Sequence, residues 1–485
     1  MNAKAPVDSS SDTARMHAIL ALQKAAHLRD GAPSLEKRID WLNRCIGLLV
    51  DYSDQIEQAL NADFGARSIE ATRFTDVAGS IGPLKFARAN VAKWMKTEKR
   101  KTTPAILALF GAKAEVQFQP KGVVGVISPW NFPVNLTFAP LAGILAAGNR
   151  AMIKPSEFTP ATSALMAKMF ASVFSEEEVA VITGGPEVGQ AFSGLAFDHM
   201  IFTGATGVAK HVMRAAADNL VPLTLELGGK SPVILGKSAD FATAAARVMN
   251  GKTLNAGQIC LAPDYVLTPE DKLETFVGEA QASVAKMFPT IKDNPDYTAI
   301  VAQRHYDRIM GYVEDARAKG ARIVQINPAD EDFSQQEHRR IPPTLIINPT
   351  DDMKVMQEEI FGPVLPVKTY KTVQDAIGYV NAHDRPLGLY YFGDDAAERD
   401  LVLKSTTSGG VSVNDVVMHV AQEELPFGGV GPAGMGSYHG HDGFLEFSHK
   451  KAVFTQMKKD IGPLLQMRPP YGAAIRKYLA GELKR

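Results

Sequence analysis

The feature that most constrains this chain is a rhythm in its middle third. Short unbroken apolar runs alternate with stretches of helical composition. The runs Val123-Val124-Gly125-Val126-Ile127, Ala151-Met152-Ile153, Val179-Ala180-Val181-Ile182 and Met200-Ile201-Phe202 are interleaved with Leu136 to Ala147, Ala161 to Phe174, Val188 to Gly194 and Gly207 to Asp218. Strands covered on both faces read as continuous apolar runs, and the helices between them are the crossovers of a parallel sheet. A second set follows. Its strands are Val233-Ile234-Leu235, Tyr265-Val266-Leu267, Ala321-Arg322-Ile323-Val324, Thr344-Leu345-Ile346-Ile347 and Val411-Ser412-Val413, with helices at Phe241 to Leu254, Leu273 to Phe288 and His305 to Ala318. The chain has 485 residues, more than one hydrophobic core accommodates. The expectation is an α/β protein with two parallel-sheet domains, the second beginning near Gly228-Gly229. Open sheets of this kind bind dinucleotides at the carboxyl ends of their strands.

Outside that rhythm, Asp12 to Lys96 reads as helices. Ile39, Leu42, Cys45, Ile46 and Leu49 recur at helical spacing, which makes Cys45 a small core residue. Thr97 to Thr103 reads as a basic linker. Ala114 to Gln119 alternates like a half-exposed strand, isolated enough to pair across a subunit boundary. Asn327 to Arg340 is polar and aperiodic, a surface loop.

The net charge of -1 gives no basic excess for nucleic acid or an anionic membrane. Two cysteines make no disulfide framework, which fits a reducing cytoplasm. Met1 to Ala14 lacks the apolar stretch of a secretory signal, no run is apolar enough to span a bilayer, and the charged carboxyl terminus carries no prenylation box.

Several short stretches carry polar groups where chemistry would need them. Cys260 stands in Gln258-Ile259-Cys260-Leu261-Ala262-Pro263, on irregular backbone after Asn255-Ala256-Gly257. Glu226 sits between two leucines, where a carboxylate is costly to bury unless it is a tuned acid or base. Cys260 is read as a nucleophile and Glu226 as its proton acceptor. Pro129-Trp130-Asn131-Phe132-Pro133 follows a strand and offers an amide N–H to a developing oxyanion, or simply closes a turn. Lys154-Pro155-Ser156-Glu157 ends a strand with a cation and an anion, suited to ribose hydroxyls or to a surface ion pair. Phe202-Thr203-Gly204-Ala205-Thr206-Gly207 opens a helix, where free N–H groups favour phosphate. Of Glu358 and Glu359, neighbours before Phe361, only one is expected to face inward. Histidines do not cluster at ligand spacing, so no metal is expected, and the hydrolase elbow G-x-S-x-G is absent.

Taken together and in this order, these stretches resemble the aldehyde dehydrogenase superfamily, from roughly Leu35 to Lys451. The match also takes in Leu225-Glu226-Leu227-Gly228-Gly229-Lys230, Glu358-Glu359-Ile360-Phe361-Gly362-Pro363 and Pro426-Phe427-Gly428-Gly429. The context of Cys260 and the short amino-terminal region resemble the class 3 group and its bacterial coniferyl aldehyde branch.

The resemblance implies two Rossmann-like domains and a small oligomerisation arm. Residues 1–112 and 121–227 would bind NAD(P), with 425–450 returning to that domain. Residues 228–424 would be catalytic, and 113–120 with 451–485 would form the arm and tail of a homodimer. It implies a Cys260 thiohemiacetal and thioester, an oxyanion held by Asn131 and the Cys260 N–H, and water activated by Glu226. It places Trp130, Lys154, Glu157, Gly185, Gly204, Ala205, Glu359 and Phe361 toward the cofactor. Phe132 and Phe427, with Trp130, would wall the pocket of an aromatic or medium-chain aldehyde. NAD is the expected cofactor because a 2′-phosphate would meet Glu157, with NADP tolerated. The chain departs from the family's glycine turn, where Ala205 and Ala209 replace the usual serine and second glycine. Acylation of coenzyme A and a non-catalytic binding role are the competing readings.

Overall fold

The computed structural model describes residues 9–459, 462–465 and 467–484. Part of the polar amino-terminal stretch, residues 1–8, and Arg485 lie outside the described residues. In chain order the strands are β1 Glu98–Arg100, β2 Lys113–Pro120, β3 Val123–Ile127, β4 Arg150–Lys154, β5 Val179–Val181, β6 His199–Gly204, β7 Leu223–Leu227 and β8 Pro232–Leu235. They continue with β9 Tyr265–Pro269, β10 Arg322–Gln325, β11 Thr344–Ile347, β12 Val364–Tyr370, β13 Gly388–Phe392, β14 Gly410–Val413, β15 Gly434–Met435 and β16 Ser448–Thr455.

One compact unit runs through Trp94 and then from Pro120 to Ser448, and it holds two large sheets. The six-stranded sheet has the order β15-β7-β6-β3-β4-β5. Its strands are parallel except for the two-residue β15, which runs antiparallel to β7 and sets Gly434 opposite Glu226. The seven-stranded sheet has the order β10-β11-β12-β9-β8-β13-β14, parallel except at the β10–β11 edge. Its alternation is clean. Val233, Leu235, Tyr390 and Phe392 pack into one layer, while Ile234, Leu389 and Tyr391 pack into the other. Both faces are covered, so successive residues are apolar, and each fully buried large side chain contributes about 1.5–3 kcal/mol.

Two members of this sheet, β12 and β13, are additions to the sequence reading. Pro366 interrupts the apolar run of β12, and Gly388 and three aromatics give β13 an unusual composition. On the amino-terminal helix Leu35–Asp51, Leu42, Cys45 and Leu49 are buried together with Trp41 and Leu48, and burial pushes the Cys45 thiol up. The segment Asn327 to Arg340 is irregular as expected, but it is not wholly superficial. The Arg340 side chain turns inward and donates to the Ile291 carbonyl at 3.0 Å.

The other compact unit comprises Met95–Gln119 and the segment from His449 onward. Here the basic stretch expected as a linker is β1, paired antiparallel with β2. Its three side chains are all exposed, so composition alone disguised a hydrogen-bonded strand. β2 is not left to find a partner elsewhere, because it lies between β1 and β16 of the same chain. Leu107, Ala112 and Met457 form a small core.

The carboxyl ends of β3, β4, β6 and β7 all open on one cleft, since Ile127, Lys154, Gly204 and Leu227 line it. The turn after β3 is fixed from beneath by a buried ion pair. Arg67 Nη2 and Asp76 Oδ2 are 2.6 Å apart, with side chains 2% and 0% exposed. Arg67 Nη1 donates to the Asn131 carbonyl at 2.8 Å, and Asp76 Oδ1 accepts from the Val134 N–H at 3.2 Å. Removing one partner of such a pair leaves the other charged and dry, a loss of about 3–5 kcal/mol. Asp76→Ala is therefore expected to lower the unfolding free energy by about that amount, read as a lower urea midpoint at unchanged slope, and to reduce turnover, because Asn131 loses its support. An unchanged midpoint would show that the pair does not anchor the turn.

Candidate active site

The cleft has a volume of about 930 Å³ and is lined by strand ends of the six-stranded sheet together with loop and helix residues that follow them in the chain. Asn131, Glu226 and Cys260 all line it, as do Trp130, Lys154, Glu157, Gly204, Ala205, Glu359 and Phe361. Gly185 precedes the helix Pro186–Ser193, of which Pro186 rather than Gly185 reaches the lining. Phe132 packs against the Arg67 guanidinium, 5.2 Å from its ring centre, outside the lining. Phe427 is buried beside His419, Tyr438 and His439, also outside the lining.

Cys260 follows a turn of unusual backbone. Asn255 and Ala256 have φ of 49° and 52°, and Gly257 has φ of 72°. Each non-glycine residue in this left-handed region costs about 1–2 kcal/mol. Gly257 admits no larger residue, because a Cβ would run into the Gly362 carbonyl. The turn is held by the Gln258 side chain, which donates to the Asn255 and Ala299 carbonyls at 2.9 and 3.1 Å and accepts from the Val301 N–H at 3.0 Å. Asn131 is tied to the same turn. Its Nδ2 donates to the Gln258 carbonyl at 3.1 Å, and its own carbonyl accepts from Asn255 Nδ2 at 3.1 Å. An amide nitrogen has two hydrogens, so one donor of Asn131 remains for a ligand.

The thiol of Cys260 is half-buried. Burial pushes its pKa up to about 12, the Glu359 and Glu226 carboxylates add to this, and the N–H groups of Cys260 and Leu261 oppose it. In the ligand-free protein it is therefore a thiol, and activation must come with the ligand or from a base. Glu226 is 3% exposed, and neither carboxylate oxygen has a hydrogen-bond partner. Burial and the nearby Glu446 raise its pKa well above the usual carboxylate range. A carboxylate left bare in this way costs stability, and such sites are characteristic of acid–base groups. Glu359 packs against Gly228, whose missing side chain makes the room, and burial lifts its pKa to about 8. Glu358 also lines the cleft, where it accepts from the Tyr312 hydroxyl at 2.6 Å. Glu358 is exposed at the rim, so Glu359 is the enclosed one of the two neighbours.

The other end of the cleft suits a dinucleotide. Lys154 is buried with Nζ 3.6 Å from Glu157 Oε2, a donor–acceptor pair for vicinal hydroxyls. The helix Thr206–Ala217 starts at Ala205, which supplies no side-chain cap, so its first N–H groups stay open toward an anion. Trp130, His305 and Phe361 form an aromatic wall, with Trp130 centred 5.0 Å from His305 and 5.3 Å from Phe361.

A profile of the aldehyde dehydrogenase family matches residues 5–453. The chain belongs to the aldehyde dehydrogenase family. It is 76% identical over 483 residues to a probable coniferyl aldehyde dehydrogenase of Caulobacter vibrioides, covering 99% of this chain and 100% of that one. It is 57% identical over 459 residues to a coniferyl aldehyde dehydrogenase of a Pseudomonas species, covering 94% of each. Among solved structures, the aldehyde dehydrogenase of Mycobacterium tuberculosis complexed with NAD+ superposes with a TM-score of 0.82 at 28% identity, covering 93% of this chain and 92% of that one. The enzyme is thus an oxidoreductase acting on aldehydes. Among the described residues, no helix is long and apolar enough to cross a membrane, and no group of three or more His, Cys, Asp or Glu side chains could hold a metal ion.

Several lining residues of this dehydrogenase were not marked in the sequence. Arg304, His305 and Arg308 come from the helix Gln303–Ala318, whose polar face reads as ordinary solvated surface. Arg304 stacks 3.9 Å from the Phe158 ring centre, and Arg308 donates to the Tyr312 hydroxyl at 3.0 Å. The geometry about the sulfur predicts how it titrates. Alkylation by iodoacetamide in the absence of ligands should rise from pH 7 to pH 9, because the thiolate fraction grows below a pKa of about 12. Over the same window Glu359 ionises, with its pKa near 8, and its charge holds the thiolate back. The rise is then shallower than tenfold per pH unit in wild type, approaches tenfold in Glu359→Gln, and makes the variant faster at pH 9. Equal slopes would separate Glu359 from the sulfur.

Proposed function

We propose that the enzyme oxidises an aldehyde to its carboxylic acid with NAD, through a thioester on Cys260 hydrolysed by water that Glu226 activates. The observation that carries this reading is the bare, buried Glu226 lining the same cleft as Cys260 and Asn131. Cys260 gives its proton to Glu226, which releases it to solvent through the cleft, and Sγ attacks the carbonyl carbon as the oxygen takes on negative charge within reach of the open Asn131 N–H and the Cys260 backbone N–H. When bound, NAD supplies the acceptor for the hydride that leaves the substrate carbon. The carbon then remains as an acyl group on sulfur. Glu226 takes a proton from water, the hydroxide adds to the thioester, and the acid departs as the sulfur is regenerated. A raised pKa suits Glu226 to this role, since a base works best near the operating pH.

Lys154 and Glu157 hold the adenine-side ribose in this scheme, Glu359 the nicotinamide ribose, and the open start of the helix at Thr206 the pyrophosphate. Gly204 and Ala205 approach the same group, Gly185 closes the neighbouring turn, and Trp130 and Phe361 pack beside the ring. The negative charge of Glu157 favours the 2′-hydroxyl of NAD over the 2′-phosphate of NADP. For substrate we favour a hydroxycinnamaldehyde of the coniferyl type, supported by the names of the two curated relatives. Phe132 and Phe427, expected as its walls, lie outside the lining because they pack on Arg67 and on His419, Tyr438 and His439, so the aromatic wall falls to Trp130 and Phe361. A cytoplasmic homodimer is proposed, with residues 113–120 and the segment after 451 as its arm.

The test is a steady-state comparison of variants and aldehydes. Cys260→Ala should abolish NADH formation, and Asn131→Ala should lower kcat by about 10²–10³ through loss of one oxyanion donor. Hydroxycinnamaldehydes should outperform small charged semialdehydes, and the carboxylate yield should be the same with and without coenzyme A. An acyl-coenzyme A product, or equal rates for wild type and Cys260→Ala, would overturn the reading.

A further inference from the structure

Glu226 is not the only carboxylate on its face of the six-stranded sheet. In β7, Thr224 and Glu226 are two residues apart and so point to the same side. Their partners in β6 are Ile201 and Thr203, which places His199 on that side as well. Glu446 ends the helix Gly440–Glu446 and reaches this face, with its side chain 25% exposed. Gly436, one residue beyond β15, makes the room for it, since a Cβ there would sit 2.5 Å from Glu446 Oε1.

The hydrogen bonds here have a fixed direction. Thr224 Oγ1 donates its single hydrogen to Glu446 Oε1 at 2.6 Å. His199 Nε2 lies 2.8 Å from the same Oγ1 and must therefore be the donor. That leaves His199 Nδ1 as an acceptor, and Lys121 Nζ stands 3.0 Å from it. Every proton in the series Lys121, His199, Thr224 is donated toward Glu446, and the series ends on a carboxylate that only accepts. His199 stays neutral, because burial, reinforced by Lys121, lowers its pKa to about 3. Its approach to Glu446, at 4.0 Å, is therefore not an ion pair.

We propose that Glu446 is a positioning residue for the hydrolytic step, a fixed negative charge on the sheet face of Glu226 that strengthens Glu226 as the base for water. The inference rests on the role given to Glu226 above. The titratable groups whose charge state bears on Glu226 are Glu446, Cys260 and Tyr438. Of these the cysteine and tyrosine have their pKa values raised, to about 12 for Cys260 and well above 10 for Tyr438, so neither supplies a charge at neutral pH. A like charge near a carboxylate raises its affinity for a proton, and a stronger base removes a proton from water faster.

The experiment follows hydrolysis of the acyl-enzyme formed from p-nitrophenyl acetate, in full-length protein without cofactor, between pH 5 and pH 9. In wild type the deacylation rate should rise with pH to a plateau. In Glu446→Gln the rise should move to lower pH by about half to one unit, and the plateau should fall several-fold, while Glu446→Asp should restore most of both. If Glu446→Gln does not fold, Glu446→Leu carries the same expectation. An unmoved pH profile in either folded variant would overturn the proposal, even if the rate fell uniformly. Glu226→Gln is the control. If it deacylates like wild type, the role of Glu226 is itself wrong, whereas slow deacylation in Glu226→Gln with an unmoved profile in Glu446→Gln defeats only the inference about Glu446.

Discussion

The structure depends on keeping one carboxylate dry. Glu226 gives up most of its hydration and no protein group donates a hydrogen bond to it in return, an arrangement a chain avoids unless the surrounding backbone leaves no alternative. Here the backbone is fixed from both sides. β6 pairs with β7 in parallel, the short β15 closes the other edge, and Gly434 stands directly opposite Glu226. Pairing on both edges holds the backbone of Glu226, and so fixes the face of the sheet from which its side chain projects. The energy stored in that placement is what makes the group a base, since the charged form is poorly solvated and regains stability by taking a proton.

The thiol is presented by a complementary device. Three successive residues in the left-handed region, Asn255 to Gly257, would unwind on their own. They persist because Gln258 bonds to carbonyls on both sides of the turn and because Asn131 and Asn255 bond across it. Asn131 is in turn fixed by Arg67 and Asp76. Nucleophile and oxyanion donor therefore belong to one hydrogen-bonded assembly, and the distance between them is set by buried bonds rather than by loop flexibility. That preorganisation is the main electrostatic resource of an acyl-transfer site.

Much of this was legible beforehand. The parallel sheets followed from the apolar runs, because strands covered on both faces leave no polar alternation to misread. Cys260, Glu226 and Asn131 were each marked by an incongruity: a thiol on irregular backbone, a charge between leucines, and an amide between prolines. What escaped notice has physical reasons too. β1 shows only exposed charged side chains, so its pairing lies entirely in backbone hydrogen bonds. β12 contains a proline and β13 opens on a glycine, both poor strand signals taken alone. Arg304, His305 and Arg308 sit on a helix face that periodicity assigns to solvent, and only tertiary packing turns that face to the cleft. Glu446 lies 220 residues from Glu226 in the sequence, and no local pattern links them.

The central claim is that sulfur and carboxylate act in succession on one acyl group. Intact-protein mass spectrometry of Glu226→Gln, mixed with NAD and a cinnamaldehyde, tests it most directly. The account predicts that one acyl group accumulates on the protein, maps to Cys260 after digestion, and persists while wild type shows none at steady state. An unmodified Glu226→Gln that nonetheless forms NADH and free acid at the wild-type rate would contradict it.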